Sequence, residues 1–125
     1  MHKPRMIDHE WTALIQDDVD TLLTNAGLAL PRGWRVYVTR ARRGQCALYY
    51  KYARIPTWVF DHDDSEYYLY YLAHELAHIY AGRRVCHGTE FMQWFKNICP
   101  PHLWHHELGY KPRLATAAGI RKEQS

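Results

Sequence analysis

The stretch His74-Glu75-Leu76-Ala77-His78 carries the clearest chemistry in this 125-residue sequence. Two histidines four positions apart project from the same face of a helix, so both imidazoles can reach one metal ion. Glu75 then stands beside the ligand face rather than on it, where a carboxylate can take a proton from the water that a catalytic zinc activates. A catalytic zinc uses three protein ligands and leaves a fourth position open. His87 is the first candidate for the third place, because eight residues separate it from His78 and Gly82 lets the chain leave the helix and turn back. His62, His102, His105, His106, Glu90 and Glu107 stay open as alternatives. The expected cofactor is one Zn2+ per chain.

Composition points the same way. Nine histidines are present, and histidine is the commonest protein ligand of transition metals. The cysteines, Cys46, Cys86 and Cys99, are odd in number and form no Cys-x-x-Cys pair, which argues against a disulfide framework and a thiolate zinc ribbon and for free thiols. The run His102-Leu103-Trp104-His105-His106-Glu107 reads as a surface or partly packed cluster. From it His105, together with Tyr110 after Gly109, is kept as a candidate for polarising a scissile carbonyl.

A second surface is suggested by Arg32, Arg35, Arg40, Arg42 and Arg43, with Tyr37, Tyr49, Tyr50 and Tyr52 interleaved. Arginines beside exposed aromatics suit single-stranded nucleic acid, through phosphate neutralisation and base stacking. The plainer alternative is a solvated strand face with tyrosines packed beneath. Arg83, Arg84, Lys111, Arg113, Arg121 and Lys122 would extend that patch or only solubilise the ends. The formal charge of +3 is too small to announce a nucleic-acid protein by itself.

These residues need elements to position them. Ile7 to Thr24 is expected to be an amphipathic helix, with Trp11, Ile15, Val19, Leu22 and Leu23 at helical spacing and Asn25-Ala26-Gly27 as its stop. After the turn Pro31-Arg32-Gly33, alternation from Trp34 to Thr39 predicts a strand, and Cys46 to Tyr52 a second strand in a hairpin with it. Ile55 to Phe60 predicts a third, and Pro56 pushes that strand, or its first residue, to a sheet edge, where an extended substrate could add as a further strand. Asp63 and Glu66 have the spacing of a helix start, and a helix to about Ala81 carries the two histidines, with Tyr68, Leu69, Leu72, Leu76 and Tyr80 as its apolar face. Gly88 to Cys99 predicts another helix, ended by Pro100-Pro101. The expected architecture is α+β: one helix, a small three-stranded antiparallel sheet, the metal helix and a following helix.

With 47% apolar and 23% charged residues, the chain is expected to fold as a single domain over residues 1–125, its core about 7–110 and its tail 111–125. The apolar stretch Tyr67 to Ala73 is too short for a membrane span, and the start has no apolar signal core, so an intracellular, cytoplasmic protein without membrane partners is expected.

His74-Glu75-Leu76-Ala77-His78 followed by His87-Gly88-Thr89-Glu90-Phe91 resembles the zinc signature of SprT-like (Spartan-type) metallopeptidases, a family that includes proteases of DNA–protein crosslink repair. The resemblance implies a zincin-like fold, His74, His78 and His87 as the ligands, Glu75 as the catalytic acid–base and a protein substrate, with single-stranded DNA as a candidate partner. About ten residues are diagnostic. The linker between second and third histidines is short, and the cysteine-rich zinc ribbon that follows the domain in many members is missing. The alternative function is a catalytically silent, zinc-stabilised module that binds single-stranded nucleic acid or a protein.

Overall fold

The computed structural model describes the backbone of residues 8–82 and 87–110, and the side chains of 9–82 and 87–107. The proposed tail 111–125, Ile7, Arg83, Arg84, Cys86, Lys111, Arg113, Arg121, Lys122 and the Tyr110 side chain lie outside the described residues. The chain runs α1 (Asp8–Asn25), β1 (Arg35–Thr39), β2 (Gln45–Ala47), β3 (Tyr52–Pro56), a 3-10 turn (Thr57–Asp61), α2 (Tyr67–Ala81), α3 (Thr89–Ile98), a second 3-10 turn (Pro101–Leu103) and α4 (His105–Tyr110). It is a mixed α+β fold with four helices and one three-stranded sheet among the described residues. None of these helices is long and apolar enough to cross a membrane.

α1 buries Ile15, Val19, Leu22 and Leu23, the positions its periodicity marks as inward. It ends in a Schellman motif: Leu28 N–H donates to the Leu23 carbonyl and Gly27 N–H to that of Thr24, with Gly27 left-handed at φ +77°. The outward side of α1 also serves the sheet. Thr12 Oγ1 accepts from Val38 N–H at 2.8 Å and Gln16 Nε2 donates to the Val36 carbonyl at 3.0 Å, so the free edge of β1 is closed by side chains.

The sheet departs from the sequence expectation. Its order is β1-β3-β2, with β1 parallel and β2 antiparallel to β3, so it is mixed rather than wholly antiparallel. The hairpin joins β2 to β3, through a turn in which Lys51 takes φ +59°. The strand expected at an edge is the central one, starts at Tyr52 rather than Ile55, and puts Ala53 and Ile55 fully out of solvent. Burial decides this: the strand with two wholly covered positions is paired on both sides, next to Val36 and Val38 of β1. Pro56 is tolerated because it is the last residue of β3, and the chain turns there into the 3-10 segment that holds Trp58 and Phe60. β2 is shorter than the expected Cys46 to Tyr52, since residues 48–51 form the turn.

α2 is the central element, packed on β3, β2, α1 and α3. Ten of its residues are buried, among them His74 and Glu75. Asp64, not Asp63, organises its start: the Asp64 carbonyl accepts from Tyr67 N–H and its Oδ1 from Glu66 N–H. Gly82 ends it at φ +89°, donating its N–H to the His78 carbonyl. α3 presents Phe91, Phe95 and Ile98 to the core, while Trp94 stays half-buried and stacks on Tyr80. α4 has six residues, too few for a periodic signal, and sequence reading left this segment without an element.

Candidate metal centre

One turn of α2 carries His74 and His78 toward α3, and the segment entering α3 brings His87 back to them. One ring nitrogen from each of the three lies within 4.8 Å of the other two. The ring centres form a nearly equilateral triangle, with His74–His78 at 5.1 Å, His74–His87 at 4.9 Å and His78–His87 at 4.8 Å. Three imidazoles sharing a tetrahedral ion at metal–nitrogen bonds of about 2.0–2.1 Å would hold their centres about 5 Å apart, so the triangle has the size a zinc ion needs. His78 Nε2 and His87 Nε2 already face each other at 3.0 Å. Phe91, the residue that opens the buried face of α3, backs all three rings at 4.6–5.0 Å.

His74 is held from behind. Its Nδ1 is 2.7 Å from Glu107 Oε1, on a carboxylate wholly out of solvent, and Tyr70 Oη donates to the same oxygen at 3.0 Å. A carboxylate only accepts, so the ring proton belongs on Nδ1 and Nε2 keeps its lone pair for a metal. Glu107, one of the sequence alternatives for third ligand, therefore stands behind the His74 ring rather than within the histidine triangle. Sequence reading missed this role, as it missed Tyr70 and Tyr71; the signal available was an acidic residue in a histidine-rich run, with nothing to say which face it takes.

Glu75 is 6% exposed and lines the same cleft. Opposite it the chain passes close at Gly44, whose N–H donates to Tyr71 Oη at 2.8 Å. A Cβ at Gly44 would run into the Tyr71 ring and stand 2.7 Å from Glu75 Oε2. Only a glycine lets this backbone approach the carboxylate so closely. The cleft, about 430 Å³, is walled by His74, Glu75, His78 and His87 on one side and by Arg43, Gly44, Gln45 and Cys46 on the other. Burial, with the Glu75 charge adding to it, pushes the Cys46 thiol up to about 12, so it stays protonated at neutral pH. Three imidazoles with two buried carboxylates close by, one of them hydrogen-bonded to the His74 ring, are a donor set that fits a divalent zinc ion.

The other sequence candidates fall elsewhere. His62 stacks on Tyr67 with ring centres 3.9 Å apart, His102 pairs with Glu66 at 2.8 Å, and Glu90 is exposed on α3. His106 meets Asp64 at 2.7 Å, and His105 is exposed on α4, outside the cleft lining. Arg32, Arg35, Arg40, Arg42 and Arg43 are all exposed, and Arg43 reaches the cleft rim. Tyr49 and Tyr50 are 76% and 71% exposed at the β2–β3 turn, whereas Tyr37 and Tyr52 are half-buried against each other.

Compared with known protein families, with curated proteins and with solved structures, the chain finds no match.

Proposed function

We propose that this chain is a zinc-dependent metallopeptidase of zincin-like type, with His74, His78 and His87 holding the metal and Glu75 acting as general base. The observation that carries the reading is the convergence of the three imidazoles and the Glu75 carboxylate on one wall of a cleft whose other wall is the edge strand β2. Zinc, when bound, would supply Lewis acidity, polarising a peptide carbonyl and bringing the deprotonation of water near neutral pH.

The protein's own groups do the rest. Glu75 Oε2 accepts the proton of the attacking water and returns it to the departing amine nitrogen. Glu107 keeps the His74 proton on Nδ1, so that the ring does not turn its protonated nitrogen to the site. Among the described residues β2 pairs only with β3, and its other edge can take an extended peptide as a fourth strand. A second groove of about 460 Å³, lined by residues 45–50 with Tyr52, His78 and Gly82, continues past β2 and would receive the flanking part of such a peptide. Membership of the SprT-like group belongs to this proposal too, resting on the ten residues of the signature.

A second reading is a silent zinc-stabilised module for single-stranded nucleic acid, favoured by the exposed arginines of the β1–β2 region and by Tyr49 and Tyr50 at the turn. Glu75→Gln separates the two. It should keep zinc and melting temperature yet slow cleavage of an unfolded protein by about 10²–10⁴-fold. Equal cleavage by variant and wild type, or none by wild type with and without single-stranded DNA, would favour the module.

A further inference from the structure

We propose that the chain holds a second divalent transition-metal ion, bound by Asp64, His105 and His106 where the start of α4 meets the loop before α2. One ligating atom from each of these three lies within 4.8 Å of the other two. None of them lines the cleft of the first cluster, and the inference stands whether or not that cluster is catalytic.

The site is built rather than accidental in its orientation. Asp64 Oδ1 is taken by Glu66 N–H at 2.9 Å, which turns Oδ2 outward to His106 Nε2 at 2.7 Å. The His106 ring is packed edge-on against Tyr67 at 5.0 Å and lies 5.5 Å from Tyr70, so its direction is set by aromatic neighbours. Alone, Asp64 and His106 would be a surface ion pair. His105, whose ring centre is 4.0 Å from that of His106, adds a third donor that the pair does not use.

Two imidazole nitrogens and one carboxylate oxygen select zinc, nickel, cobalt or copper over magnesium and calcium, which prefer oxygen throughout. His105 is exposed, so water completes the shell and the ion exchanges freely with solvent. A metal here would fasten the first turn of α4 to the loop before α2, immediately before Glu107 reaches His74.

The test is a titration of the full chain with Co2+ alone, followed by its visible absorption and by calorimetry. Wild type should take up two equivalents and Asp64→Asn combined with His105→Ala one, with the metal-free melting temperature little changed. In the converse variant, His78→Ala with His87→Ala, one equivalent should remain. Equal uptake by wild type and the Asp64→Asn, His105→Ala variant overturns the proposal, as does no uptake by a helical His78→Ala, His87→Ala protein. Should that second variant fail to fold, the first comparison decides alone. Wild type binding one ion and the Asp64→Asn, His105→Ala variant none would support this site while removing the first.

Discussion

Replacing Gly44 by alanine tests the proposed role of Glu75 without touching a ligand or an ionisable group. The added methyl would run into the Tyr71 ring and lie 2.7 Å from Glu75 Oε2 and 3.0 Å from the Arg54 carbonyl. The backbone oxygen belongs to central strand β3 and has little room to move, and Tyr71 is hemmed in by Trp58, Tyr67 and Tyr70. The clash with Tyr71 must be relieved by a shift of the Gly44 segment or of that ring, and the carboxylate, the softest of the three neighbours, must itself retreat by roughly 0.5–1 Å to restore ordinary contact. Overpacking of this kind costs about 1–3 kcal/mol, a fall in Tm of roughly 5–10 °C for a chain of this size. A displacement approaching 1 Å in a reacting group lowers turnover by up to about 10²-fold, so kcat/KM on an unfolded protein substrate should drop roughly ten- to hundredfold. Zinc content, measured by metal analysis, should stay at the wild-type level. Gly27→Ala is the control: nothing lies within 4 Å of its Cβ, the left-handed φ costs about 1–2 kcal/mol of strain, and kinetics should not change. A Gly44→Ala protein that cleaves as fast as wild type, or that loses activity only in step with lost zinc, would refute the claim that this close approach positions Glu75.

Glu107→Gln should weaken zinc binding about 10- to 100-fold in a competition assay with a chromogenic chelator, because the His74 ring loses its charged partner. Glu107→Ala, which leaves both Tyr70 Oη and His74 Nδ1 without that acceptor in a buried place, should cost roughly 2–4 kcal/mol in urea unfolding even without metal. Chelation of the wild type should lower its Tm, since an ion present at about 1,000 times its Kd contributes about 4 kcal/mol; an unchanged Tm would mean that the folded chain binds no metal. Burial pushes the Cys46 and Cys99 thiols up to about 12, and burial with the Asp18 hydrogen bond does the same for the Tyr68 hydroxyl. These groups are raised in the folded state, so their contribution is complete below the unfolded values near 9–10 and is lost as pH climbs toward 12; denaturation midpoints should fall across that window, and Cys46→Ala should flatten part of the fall.

What could be read from residues alone depended on how local each feature is. The His74, Glu75 and His78 arrangement follows from helical period, and the periodic runs of α1, α2 and α3 placed those helices to within a residue or two. Approach of His87 depends on a turn whose path no periodicity describes, so sequence reasoning reached it only as the first of several candidates. Sheet order is a choice among partners distant in sequence, and β2, with three residues, has too little pattern to announce which neighbour it takes. Alternation identified β1 correctly, yet the rule that proline goes to an edge misled for β3, because Pro56 sits at a strand end where no further ladder bond is required. Glu107 and Gly44 were illegible for a different reason. Each matters through a contact made across more than 25 residues of chain, with His74 in one case and with Tyr71 in the other.

The closure of β1 by Thr12 and Gln16 makes this sheet one-ended. Any chain that adds to it as a strand is directed to β2, beside the three histidines. Under the proposed peptidase reading, recruitment and presentation would be the same event: the border that captures an unfolded segment would also deliver it to the cleft. The same reading predicts a ceiling on useful concentration. Two copies that met through their open borders would each cover the other's entrance, so self-association by strand exchange would act as product-like inhibition, seen as specific activity that falls when the protein is concentrated.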